Sequence, residues 1–288
     1  MAQNNISDKI ESYINEMPSL SVSVGKVMEV CNGTTVNPSD LNKVISLDPV
    51  LTGKLLKMIN SAYYGLNTHV TSLIKAITML GINTVKNLAL STAILSTLPK
   101  NKDIHWLDME GFWLHCLCVG VTSKLIAAKK GVDPKYHQEY FTAGLLHDIG
   151  KIPLNAVLAA DYMHLVSTAD REHKPLFIIE NENLGINHCT AGEMIANAWK
   201  LDSPIHDVIT WHHNPSGYSG ENSSILLIIE IANYFSHLYE VGFAGNRKPT
   251  KPNINIWEVI GFNEDYLESL EAKVFQEIEK ANIFLKIS

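Results

Sequence analysis

Apolar residues recur in this chain at helical spacing, and turn signals cut the pattern into short segments. Asp48-Pro49 supplies an N-cap and a first-turn proline, and Leu51, Leu55, Leu56 and Ile59 follow on one face. Leu73, Ile74, Ile77 and Leu80 form a second stripe, with Gly81 as its C-terminal stop. Asn83 to Leu95 resumes with Val85, Leu88, Leu90 and Ile94. Turns at Asn37-Pro38, Tyr64-Gly65 and Gly81 then predict a helical bundle over roughly the first hundred residues. The polar stretch from Leu98 to Asp108 reads as a boundary, giving helical lobes over 1–100 and 101–288. The expectation is an all-α, two-lobed fold, an N-terminal helical bundle packed on a second helical lobe. Gly242 to Pro252, rich in Gly, Pro and basic residues, reads as an exposed loop before the final helices.

A length of 288 residues with 46% hydrophobic and 18% charged content suits an ordinary globular protein with a substantial core. No uninterrupted apolar run reaches about 18 residues. Ile225 to Ala232 is short and holds Glu230, so it reads as a buried helix. With no basic region and apolar core at the N-terminus, and with cysteines at 31, 116, 118 and 189 forming no CxxC pair, a reducing cytoplasm is expected. A net charge of -7 does not favour direct nucleic-acid binding. Lys129-Lys130 reads as a solvated helix end.

The second lobe carries a scatter of histidines: His115, His147 beside Asp148, His188, and the pair His212-His213. Each lies on or at the end of a helix-like segment. His115 shares a face with Phe112, Val119 and Thr122; His147-Asp148 ends a segment that Gly150 and Pro153 are expected to terminate. His188 opens a helix after Asn187, and His212-His213 close the one that Ser203-Pro204 begins. Side by side, these segments would bring imidazoles around one carboxylate. Neighbouring side chains on a helix point about 100° apart, so His147 and Asp148 cannot clamp one ion symmetrically, but they can serve two neighbouring ions with Asp148 as the bridge. The alternative is an imidazole–carboxylate hydrogen bond in an inert core. Imidazole and carboxylate together suit a divalent transition metal, Fe, Mn, Zn or Ni, as one or two ions.

Two stretches resemble a known family. Leu47-Asp48-Pro49-Val50-Leu51, Lys54-Leu55-Leu56 and Ile59-Asn60-Ser61-Ala62-Tyr63-Tyr64-Gly65 are similar to the signature of the HDOD domain, with Ser72-Leu73 and Ala76-Ile77 to Leu80-Gly81 in register. Leu145-Leu146-His147-Asp148-Ile149-Gly150-Lys151 resembles the core of the HD superfamily. The resemblance runs from about Met17 to Tyr239. It implies an HD-like second lobe related to HD-GYP cyclic-dinucleotide phosphodiesterases, within bacterial signalling modules that often lack their relatives' catalytic residues.

By that resemblance His115 and His147 serve a first metal, Asp148 bridges, and His188, His212 and His213 surround a second. Asp148 and Lys151 are the candidate catalytic residues; Lys151 occupies a place linked to phosphate or water positioning, or is simply a lysine facing a helix C-terminus. Asn233 stands where an aspartate closes the first metal's shell, which weakens that half, although Glu230 lies one turn away. Gly111 occupies the place of a further glutamate. Asn214 to Gly220 lacks the GYP sequence, with Gly217-Tyr218 a faint echo. The resemblance therefore implies a regulatory protein that retains a metal site and acts on a signalling partner or a nucleotide ligand. The competing reading is an active metal-dependent phosphohydrolase.

Overall fold

The computed structural model describes residues 2–33, 36–98, 107–252 and 254–287, and among them every regular element is helical. The chain starts with α1 (Ala2–Glu16), followed by α2 (Val22–Cys31), α3 (Pro38–Ser46), α4 (Pro49–Ile59), α5 (Leu73–Leu80) and α6 (Ile82–Thr97). The helix starts follow the sequence signals. Asn37 accepts from the Asp40 amide at 3.0 Å, and Asp48 accepts from the Leu51 amide at 2.9 Å, each with a proline at the first helical position. Gly81, at φ 85°, ends α5 and lets α6 leave at 118° to it.

The signature segment after α4 is a joint between the lobes. Asn60 pins it by accepting from the Val70 amide at 2.7 Å and donating to the Leu56 and Val70 carbonyls. Tyr63 then packs on Phe141 and Phe284, and Lys124 donates to its hydroxyl at 2.8 Å.

The second lobe contains α7 (Met109–Lys129), α8 (His137–Leu146), α9 (Lys151–Leu158), α10 (Ala160–Glu172) and α11 (Leu176–Leu184). It continues through α12 (His188–Ala198), α13 (Ser203–Trp211) and α14 (Ser223–Leu238) to α15 (Ile254–Ile260), α16 (Glu264–Ala281) and α17 (Ile283–Ile287). Helix α7 is the axis, touching α8, α14 and α16. Its crossing with α8 needs two glycines: a Cβ on Gly144 would stand 2.8 Å from the Gly120 Cα, and one on Gly120 would stand 2.7 Å from the Phe141 carbonyl oxygen. That close approach brings the His115 and His147 rings within 5.4 Å. Among the described residues α7 alone is long and apolar enough by itself to cross a membrane, and 67% of its apolar window is buried inside the protein, as in a core helix.

One continuous hydrophobic core joins both lobes. Helix α1 lies on α9 and α12, while α17 returns to α4 and α6. Most of the boundary stretch expected from Leu98 to Asp108, positions 99–106, lies outside the described residues.

Two local expectations are corrected. Pro153 does not terminate a helix at His147-Asp148; α8 ends at Leu146, and Pro153 sits in the first turn of α9, where a missing amide costs nothing. The Gly242–Pro252 segment is not uniformly exposed. Ala244 is buried, and the Phe243 amide donates to the Gly111 carbonyl at 2.9 Å, because Gly242 at φ 70° lets the backbone press against α7.

Candidate metal centre

Four helices deliver the histidines and their carboxylate to one buried point. Asp148 follows the end of α8, is 1% exposed, and its two oxygens face different neighbours. Oδ2 lies 3.4 Å from His147 Nε2 and 3.7 Å from His115 Nε2. Oδ1 lies 3.3 Å from His188 Nε2 and 3.5 Å from His212 Nε2. His213 joins the second group, its Nε2 3.0 Å from His188 Nε2, while its ring stacks on Phe177 at 4.3 Å. Two sets thus share Asp148, one with His115 and His147, the other with His188, His212 and His213, and within each set the candidate ligand atoms lie within 4.8 Å of one another.

Outer partners aim the rings. His147 Nδ1 is 2.7 Å from the Gly144 carbonyl, and His212 Nδ1 is 3.0 Å from that of Val208, so each Nδ1–H donates to the backbone. Ser236 donates to the Val241 carbonyl at 3.0 Å, which leaves its oxygen to accept from His115 Nδ1 at 3.0 Å. His188 donates from Nδ1 to the buried Glu180 carboxylate at 2.6 Å; the same oxygen accepts the His188 amide, and the other accepts from Tyr162 at 2.7 Å. With Nδ1 anchored, Nε2 of His115, His147, His188 and His212 faces Asp148.

Several inward atoms lack protein partners: Nε2 of His115 and His147 and Oδ1 of Asp148. Buried polar atoms are rarely left so, and these share one cluster. A divalent cation would satisfy them, and the donor set of imidazole nitrogens with a bridging carboxylate suits the transition metals expected from the sequence. The residues present therefore fit such an ion.

The electrostatics divide the cluster. Burial, with His237 and His147 nearby, drives His115 well below the ordinary imidazole range, and burial takes His147 down to about 3. Burial would lower His188 too, but Glu180 outweighs it and holds the ring at about 9. His212 resists burial through Cys189 and Asp148, reaching about 10. Burial raises the Cys189 thiol, whose sulfur lies 3.8 Å from His212 Nδ1, yet His212 and His188 bring it down to about 6. For Asp148 the penalty of burial is overcome by His147 and Lys151, leaving it ionised well below the usual carboxylate range.

Lys151 is not a helix-end lysine in solvent. It is 1% exposed and donates to Asp148 Oδ2 at 2.6 Å and to the Ala244 carbonyl at 2.8 Å. Asn233, half-buried on α14, shares a cavity of about 220 Å³ with His212, His213, Glu230 and His237. Glu230 sits there with Oε2 unpartnered, and burial, only partly offset by His212, raises its carboxyl to about 7.

Glu180, Ser236, Cys189 and His237 escape the sequence reading. His237 lies one turn beyond Asn233 on α14, with its ring 4.8 Å from that of His115. Glu180 did leave a trace: with Leu176 and Leu184 it occupies one stripe at i, i+4, i+8, where a carboxylate in a buried row needs a partner.

An all-α protein with an HD-type lobe and a buried His/Asp cluster able to hold metal is the class that this fold and site define. The sequence profile of the HDOD domain matches residues 17–215, and the chain belongs to that family. An uncharacterized protein from Treponema pallidum (strain Nichols) is 22% identical over 228 residues; the match takes in 79% of this chain and 44% of that protein, so the chain spans less than half the length of this curated relative. The fold is similar to that of an HDOD domain protein of unknown function from Geobacter sulfurreducens, with a TM-score of 0.78, 23% identity and 98% of each chain covered. It is also similar to a candidate phosphohydrolase from Shewanella amazonensis SB2B, with a TM-score of 0.70, 21% identity, and 96% of this chain and 98% of that one covered. A candidate signal transduction protein from Marinobacter aquaeolei VT8 gives a TM-score of 0.75 at 18% identity, covering all of this chain and 66% of that one.

Proposed function

We propose that this HDOD protein is a cytoplasmic regulatory module whose HD-like lobe holds divalent transition metal, and that it acts mainly by binding a signalling partner or a nucleotide ligand. One observation carries the metal half: the two oxygens of Asp148 face two separate groups of histidines whose candidate ligand atoms lie within 4.8 Å of one another in each group. The ligands would be His115, His147, Asp148, His188, His212 and His213, with Asn233 at the weaker edge. Metal there would tie α7, α8, α12 and α13 together and add to folding stability.

The regulatory half is supported by the loop after His213. Tyr218 donates to Asp207 Oδ2 at 2.7 Å and Asn222 donates to the same oxygen, so this loop, which lacks the GYP sequence, is tied to the flank of α13. The net charge of -7 and four unpaired cysteines fit a protein of a reducing compartment that does not rely on nucleic acid.

A second reading, metal-dependent phosphohydrolase, is favoured by the cavity of about 220 Å³ that reaches His212 and His213. A bound ion would supply Lewis acidity and a water of lowered pKa. The chain's own part would be to hold Asp148 ionised, to keep His115 and His147 neutral, and to place the Lys151 amine beside the carboxylate. Elemental analysis of protein purified without chelator from iron- and manganese-replete cells tests the metal: at least one ion per chain is expected, and none would end the proposal. A panel of nucleotides and phosphodiesters with added Mn²⁺ separates the two readings, turnover abolished by Asp148→Ala being the signature of an enzyme.

A further inference from the structure

We infer that the two halves of the cluster are unequal: the His188–His212–His213 half takes one tightly held ion, and the Lys151 amine fills the place of a second cation in the His115–His147 half. The inference rests on the metal reading above.

The argument starts from the two oxygens of Asp148. Oδ2, the oxygen turned to His115 and His147, already holds Lys151 Nζ at 2.6 Å, and that amine is anchored from behind by the Ala244 carbonyl at 2.8 Å. Oδ1, turned to His188 and His212, accepts no hydrogen bond. A lysine amine and a metal ion compete for the same carboxylate lone pairs. An ion arriving at Oδ2 must displace or crowd a buried amine; an ion arriving at Oδ1 meets only the His188 and His212 rings, which bind it by giving up their Nε2 protons.

The outer partners are skewed in the same direction. His188 is backed by the buried carboxylate of Glu180, itself fixed by Tyr162, and a carboxylate behind an imidazole raises its strength as a donor. His115 is backed by a serine hydroxyl and His147 by a peptide carbonyl, both neutral. The carboxylate behind His188 and the unoccupied Oδ1 beside it favour the same half.

Lys151 can hold this position because it is fully enclosed. The Gly242–Gly245 stretch lies over it, fixed by the Phe243 amide on the Gly111 carbonyl, so the amine cannot swing into solvent when a metal approaches. On this view Lys151 is a built-in countercharge to Asp148 that keeps the site mononuclear.

Metal-free protein titrated with Mn²⁺, followed by calorimetry and by the electron paramagnetic resonance of free Mn²⁺, reads the count directly. Wild type is expected to take one ion tightly and a second at least about 100-fold more weakly. Lys151→Met should restore a second ion of comparable affinity. Glu180→Gln should weaken the tight ion by about 10- to 100-fold and leave the count at one. His188→Ala should abolish tight binding while His115→Ala leaves it in place, a contrast that stands even if Lys151→Met does not fold. Two ions of matching affinity in wild type, or loss of the tight ion in His115→Ala but not in His188→Ala, would overturn the inference and leave the metal reading intact. A wild-type protein that binds no ion removes the metal reading itself, and the inference with it.

Discussion

Gly150 is pressed against His188: a Cβ at position 150 would stand 1.9 Å from the His188 carbonyl oxygen and 2.4 Å from the Gly192 amide nitrogen. The glycine of the His-Asp-Ile-Gly-Lys tract is therefore the contact through which the turn after α8 meets the first turn of α12. Both partners at that contact are backbone, so neither can move aside as a flexible side chain would. Gly150→Ala should cost more than about 3 kcal/mol, beyond the usual range for an overpacked core, and separate Asp148 from His188. Gly53→Ala on the exposed face of α4, where nothing lies within 4 Å, should stabilise by about 0.5–1 kcal/mol. Urea denaturation of both variants checks the pair, and a neutral Gly150→Ala would remove this contact from the account of the site.

Removing metal should lower the melting temperature, because the ligands come from separate helices that only the folded chain brings together. At a metal concentration 100 times the Kd the linkage is worth about 2.7 kcal/mol, and each kcal/mol moves Tm by roughly 2–4 °C in a chain of this size class. A drop of about 5–10 °C on adding chelator is expected in wild type, with none in Asp148→Asn. Equal melting of the wild type with and without chelator would contradict it.

The sequence made the histidines and the helices legible for different reasons. Caps such as Asp48-Pro49 and Asn37-Pro38 are local chemistry, so the starts of α3 and α4 can be read within a few residues. His115, His147, His188, His212 and His213 stand out as histidines on helix-like segments, the family pattern gives them an order as ligands, and the structure brings them together around Asp148. Their supports were hidden because support depends on distant pairing. Nothing near Glu180 announces that His188 will need it, and nothing near Ser236 points to His115, 121 positions away. The docking of α1 on α9 and α12 was illegible for the same reason: its stripe says that a face is buried, not against what.

Acid conditions should reveal a cost carried by Glu139. Burial and the neighbouring Asp202, partly offset by Lys86, raise its carboxyl from 4.5 to about 6. The folded protein then binds more protons than the unfolded chain between those values, so stability falls as pH rises through 4.5 to 6 and the full penalty stands above 6. A shift of this size corresponds to about 2 kcal/mol at most. Glu139→Gln should therefore be more stable than wild type by about 1–2 kcal/mol at pH 7.5, with the difference gone by about pH 4.5. Urea midpoints across that range would show it, and a difference that persists at pH 4.5 would assign the effect to something other than charge.

The same cluster holds the lobes in register. Lys86 on α6 forms an ion pair with Asp202, the N-cap residue of α13, and donates to Asn32 at 3.2 Å. Both side chains are largely buried, at 9% and 17% exposure, and Asp202 makes no capping bond to its own helix because its carboxylate is turned to the lysine. Removing one partner of a buried pair leaves the other charge desolvated and unpaired, at a cost of about 3–5 kcal/mol for full burial. Lys86→Met should fall near the low end, about 3 kcal/mol, because Asp202 retains some contact with water. Asp202→Asn should cost as much or less, since the amide can still accept from Lys86. The double variant should be more stable than the sum of the single effects predicts, by at least about 1 kcal/mol, since no unpaired charge remains. Strict additivity in the cycle would mean that α6 and α13 are joined by apolar packing alone. A coupling of the expected size would make Lys86–Asp202 the charged contact through which the N-terminal bundle positions the helix leading to His212 and His213.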